Sequence, residues 1–160
     1  MKVKLDHIGI LAKGLDDSII NFYRDVFGCE KPHYFSVANQ DEEINYIYLP
    51  FPKGDNYIEL LAPVRGPSYS ALKEKGQGAV FELCVEVDSI EDFYDEMKKN
   101  GITLCDPMGK PLPAEKKYCS IPGDDNKYAY LPSDKTFGTT FEILERNTWK
   151  RETYWPSSTE

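Results

Sequence analysis

Phe81-Glu82-Leu83-Cys84-Val85-Glu86-Val87-Asp88-Ser89-Ile90-Glu91-Asp92-Phe93-Tyr94 changes period halfway. Up to Val87 it alternates, with Phe81, Leu83, Val85 and Val87 on one side and Glu82, Cys84 and Glu86 on the other. Period two with β-branched residues predicts a strand with one dry face. From Asp88 the period becomes helical. Asp88 is a candidate cap with Glu91 as the reciprocal member of a capping box, and Ile90, Phe93, Tyr94 and Met97 form the stripe.

The same order occurs earlier. Leu5 to Leu11 reads as a strand, and Asp16 or Asp17 caps a helix that runs to Phe27 and stops at Gly28. At an offset of 71, Asp17, Ser18, Ile19, Phe22 and Tyr23 meet Asp88, Ser89, Ile90, Phe93 and Tyr94. This predicts an internal duplication in which His7 and Glu82 occupy similar places. The first half continues with strands at 33–38, 44–49 and 57–61, the last stopped by Pro63. The second continues with a helix to about Lys99 and strands at 102–105, 118–121, 127–131 and 139–145, the middle pair around a turn at 123–126. The expected fold is α+β: two tandem βαβββ modules, about 4–62 and 80–146, whose sheets form an open, curved metal-binding cleft. Residues 63–79 form a linker, with a short helical stretch around 69–75. Arg146 opens a polar tail, and the arm at 147–160 carries Trp149, Tyr154 and Trp155. The 160 residues then make one domain of two modules.

A net charge of −8 argues against nucleic acid or an anionic membrane as partner. Hydrophobic residues at 41% and aromatics at 13% supply a core. No apolar run is long enough for a membrane span or signal peptide. Cys29, Cys84, Cys105 and Cys119 are widely spaced without a C-x-x-C motif, which predicts reduced thiols and a cytoplasmic protein.

Each half places an acceptor in its first strand and another in its last: His7 and Glu59, then Glu82 and Glu142. A lone Glu in a strand ordinarily faces water, and a lone His is ordinarily a hydrogen-bonded core residue. Four such groups at corresponding places in duplicated units point instead to one centre. Buried carboxylates need a cation, and one imidazole with three carboxylates is a divalent-metal donor set.

These features resemble the vicinal oxygen chelate superfamily, which includes glyoxalase I, methylmalonyl-CoA epimerase, extradiol dioxygenases and antibiotic-resistance proteins. The matching segments are Leu5-Asp6-His7-Ile8-Gly9-Ile10, Phe22-Tyr23 to Gly28, Tyr57-Ile58-Glu59-Leu60-Leu61-Ala62-Pro63, Cys84-Val85-Glu86-Val87-Asp88 and Phe141-Glu142-Ile143. The resemblance implies metal ligands at His7, Glu59, Glu82 and Glu142, with Glu82 standing where relatives usually carry histidine. Three carboxylates favour the harder ions among Mn²⁺, Mg²⁺, Fe²⁺, Co²⁺, Ni²⁺ and Zn²⁺. The implied function is a metal-dependent isomerase, epimerase or lyase acting on a small oxygen-rich carbonyl compound by proton abstraction and a metal-stabilised enolate. Glu42, Glu43 and Glu142 are the candidate bases. A non-catalytic binding or resistance protein is the alternative reading. An extradiol dioxygenase ranks last, because His33, the other histidine, is not at a ligand position. The expected partners are a small-molecule substrate and a second copy of the chain.

Overall fold

The computed structural model describes residues 2–29, 32–54, 56–120 and 125–147. These divide into two compact units. One runs from His7 to Phe81; the other takes in the residues up to Asp6 and those from Glu82 onward.

In the first unit, β1 (Val3–Leu11) enters from the other unit and pairs in parallel with β4 (Tyr57–Arg65). β4 pairs antiparallel with β3 (Glu43–Pro50), and β3 with β2 (His33–Ala38). Helix α1 (Asp17–Phe27) crosses between β1 and β2. Asp16 caps it, its carboxylate accepting from the Ser18 and Ile19 N–H groups at 2.9 and 3.2 Å. Gly28 ends it in the left-handed region, φ 68°, its N–H returning to Arg24. The α1 side of the sheet is aliphatic: Ile8, Ile10, Ile47, Leu49, Ile58 and Leu60 meet Ile19, Ile20 and Tyr23.

Pro63 does not stop β4, which continues to Arg65. β1 ends at Leu11, opposite Leu61, so beyond that point β4 bonds only to β3. A proline costs no ladder bond on such a free side, and the register shift at Glu43/Ile44 absorbs it. The linker is therefore largely structured. Gly66 turns the chain into α2 (Pro67–Lys75) with φ 97°, ψ −165°, a region open essentially to glycine. A Cβ there would lie 2.7 Å from the Asp41 carbonyl oxygen. Gly66→Ala is expected to destabilise the protein by roughly 2–3 kcal/mol, read from the urea midpoint at unchanged m-value.

In the second unit, β5 (Val80–Val87) pairs in parallel with β8 (Thr140–Glu145), β8 antiparallel with β7 (Lys127–Tyr130), and β7 with β6 (Cys119–Ser120). Helix α3 (Ile90–Lys99) packs Ile90, Phe93 and Tyr94 with Val87, Leu104, Leu112, Ala129 and Ile143. Residues 102–105 form no strand; Cys105 makes only isolated bridges to Pro111 and Tyr130. Ile121, Gly123 and Asp124, expected in the following strand and turn, and the tail beyond Asn147 lie outside the described residues. All four cysteines are reduced and buried.

The helix cap differs from the sequence expectation. Ser89, not Asp88, caps α3, accepting from the Asp92 N–H at 3.2 Å, and among the described residues Glu91 makes no reciprocal bond of the capping-box kind. Glu145 from β8 accepts from the Ile90 N–H at 2.8 Å, with Lys127 at 3.1 Å and Asn147 at 3.2 Å. Burial alone would raise the Glu145 pKa, but these three donors together hold it below the usual carboxylate range. A lowered folded-state pKa contributes stability above the unfolded value. Glu145→Gln is therefore expected to cost roughly 1–3 kcal/mol at pH 7. The gap from wild type should close as pH falls from about 4.5 through the lower folded value, in paired thermal melts.

Candidate metal centre

His7 and Glu59 come together on two parallel strands. Glu59 is the register partner of Gly9, two residues beyond His7 and on the same side of β1. His7 Nε2 lies 3.4 Å from a Glu59 carboxylate oxygen, with the two side chains only 4% and 6% exposed. The imidazole stacks on Tyr57, its register partner, at 4.7 Å and 24°. Stacking fixes the ring plane and so the direction of Nε2. Two acceptor-type atoms this close in a dry place need a proton or a metal cation between them.

The second unit repeats the register. Glu142 on β8 is the partner of Cys84, two residues beyond Glu82 on β5. Glu82 is buried and Glu142 half-buried. Val85, Ile143 and Ala129, on the opposite side of the same strands, pack into the core with α3. The acceptors thus lie on the face turned away from the helix in both units.

The other two candidate bases have different surroundings. Glu42 accepts from the Ser68 N–H at 3.0 Å and from the Ser68 hydroxyl, holding the first turn of α2. Glu43 is aligned with Arg65 and pairs with it at 3.4 Å. Glu59 is aligned with Tyr48, five residues beyond Glu43 along β3, which is roughly 17 Å at strand rise.

Asp6 was not singled out from the sequence. It is buried beside His7 and holds Arg146 through Nε at 3.2 Å and a second nitrogen at 2.6 Å. Arg146 is 11% exposed and belongs to the packed structure rather than to a tail. The available signal was an acid next to a candidate ligand, with an arginine closing the last strand.

The family model described as Glyoxalase/Bleomycin resistance protein/Dioxygenase superfamily matches residues 6–119. Among solved structures, methylmalonyl-CoA epimerase from Mycobacterium tuberculosis aligns with a TM-score of 0.71 at 21% identity, covering 89% of this chain and 87% of that one. A variant of methylmalonyl-CoA epimerase from Streptomyces coelicolor in complex with 2-nitronate-propionyl-CoA gives 0.66 at 19%, covering 92% and 96%. A mutant 4-hydroxymandelate synthase from Streptomyces coelicolor gives 0.70 at 18%, covering 92% of this chain and 50% of that one. At these identities the likeness is one of vicinal oxygen chelate fold. No curated protein matches the sequence.

Proposed function

The chain belongs to the Glyoxalase/Bleomycin resistance protein/Dioxygenase superfamily, and from that premise we propose that it is a metal-dependent isomerase, epimerase or lyase acting on a small oxygen-rich carbonyl compound. The observation that carries the reading is the repeated register: His7 stands to Glu59 as Glu82 stands to Glu142. In this reading the four side chains are the ligands of one divalent cation. The buried His7–Glu59 pair fits that role, since its two atoms need a proton or a cation between them and a divalent ion would take that place. One imidazole and three carboxylates favour Mn²⁺ or Mg²⁺ over Zn²⁺. Such an ion, when bound, supplies Lewis acidity toward two neighbouring oxygens of a substrate.

The rest of the chemistry falls to the chain's own groups. Tyr57 keeps the His7 ring in plane. Glu82 and Glu59 are both buried, so their carboxylates would be held away from water beside the ion. Glu142 is the most exposed of the three carboxylates, and we assign it the base that takes the proton from the carbon next to the carbonyl. The engagements of Glu42 with Ser68 and of Glu43 with Arg65 favour this choice. Four reduced, buried thiols accord with a reducing compartment. No helix among the described residues is long and apolar enough to cross a membrane.

Elemental analysis after reconstitution, followed by solvent deuterium exchange into 2-hydroxy and 2-oxo acids, tests the reading. About one Mn²⁺ per chain and metal-dependent exchange are expected. A stoichiometric metal with no exchange leaves a binding protein; no metal and no exchange remove the enzymatic reading.

A further inference from the structure

Six rings run in continuous contact along one face of the first unit's sheet. His7 stacks on Tyr57 at 4.7 Å, Tyr57 meets Tyr48 at 4.8 Å, Tyr48 meets Phe35 at 4.9 Å, and Phe35 lies on Tyr46 at 4.5 Å and 7°. His33 adds a contact to Tyr48 at 6.0 Å. The register dictates the row: His7 faces Tyr57, Tyr48 faces His33 and Tyr46 faces Phe35 across neighbouring strands. The opposite face of β1, β3 and β4 is aliphatic and fills the core against α1, with Tyr34 of β2 exposed on that side, and Tyr46 at the far end of the row also packs on Ile44, Leu61 and Leu72. Cross-strand packing alone does not require six contacting rings on one side. Accessibility grades along the row. His7 and Tyr57 are buried, whereas Tyr48, Tyr46, Phe35 and His33 are half-buried.

We propose that this face is the wall on which the substrate's own planar ring lies, so that the substrate class is aryl-bearing oxygen chelators rather than acyl-coenzyme A esters. The proposal rests on the metal-centre reading: the oxygens sit at the His7–Glu59 end and the carbon ring runs outward along the row. Ring faces attract planar unsaturated carbon and offer nothing to phosphate. None of the six residues is Lys or Arg, and burial lowers the His33 pKa, which keeps its imidazole neutral at pH 7. A net charge of −8 further opposes a polyphosphate handle.

Calorimetric titration of the full chain with 3-phenyllactate and with lactate tests this, with and without Mn²⁺. The two acids share one chelating head and differ by a phenyl group. Phenyllactate is expected to bind about tenfold or more tightly than lactate. Phe35→Leu and Tyr46→Leu, each checked by thermal midpoint, are expected to weaken phenyllactate about three- to tenfold and to leave lactate within about twofold. Equal affinities for the two acids, equal losses in the variants, or no binding of either at millimolar concentration overturn the wall. A phenyl preference that is indifferent to Mn²⁺ supports the wall and instead overturns the metal centre. Preference for a quaternary ammonium probe over phenyllactate, lost in Phe35→Leu, also overturns it, since the face would then be a cation site.

Discussion

Glu142→Gln is expected to slow metal-dependent deuterium exchange by about 10²–10⁴-fold at saturating Mn²⁺. The amide keeps the shape of the carboxylate and removes both its charge and its basicity. Glu142 is half-buried on β8, beside Cys84 in register, so no core contact is emptied and the thermal midpoint should move little. Saturating Mn²⁺ separates the two roles proposed for this residue. Weakened metal binding is then overcome by concentration, whereas loss of the base is not. The matched controls are Glu42→Gln and Glu43→Gln. Both should exchange within about twofold of wild type. Glu42→Gln should lose roughly 1 kcal/mol of stability with its hold on Ser68 weakened. Glu43 pairs with Arg65 in a half-exposed setting, so its loss should cost less. If Glu42→Gln or Glu43→Gln abolishes exchange while Glu142→Gln retains it, the base has been assigned to the wrong strand.

Much of the fold was legible because it follows from short-range rules. Alternation at Val80–Val87 and Tyr57–Leu61 and the stop at Gly28 are each decided within a few residues. What was misread depended on distant partners. Pro63 looked like a strand stop because its tolerance depends on where β1 ends, more than fifty residues earlier. Ser89 rather than Asp88 caps α3, in a setting where Glu145 approaches Ile90 from β8. The duplication illustrates the same point. An offset of 71 aligns five identical residues, yet it lays the cap Asp16 on Val87 and superposes Phe22, 53% exposed, on Phe93, 6% exposed. The helix identities are therefore not structural equivalents. The equivalence lies in the strands, where the acceptors repeat their register and the intervening loops differ in length. Strand register is a long-range property, and a single sequence expresses it only through the placement of acceptors such as Glu59 and Glu142.

Asp6→Ala is expected to destabilise the protein by about 3–5 kcal/mol, the largest stability effect anticipated for one side chain here. The argument is one of stranded charge. Arg146 is 11% exposed and Asp6 2%, and the guanidinium grips the carboxylate through two nitrogens. Removing the acid leaves a guanidinium that water reaches poorly. Glu86, 3.9 Å from Nε, compensates only in part because it already pairs with Lys4 at 3.0 Å. Arg146→Ala should cost a similar amount for the converse reason. The double variant should lose less than the sum of the two, since neither charge is then left behind. A cycle measured by urea unfolding at pH 7 gives the coupling directly. Additive losses would show that the two residues act independently. Asp6 adjoins His7 in the chain, so its clamp also bears on where the imidazole is held. Asp6→Asn, which keeps the shape and loses the charge, should shift Mn²⁺ affinity more than it shifts the aryl preference if that positioning role is real. Equal shifts in both would assign the clamp to folding alone.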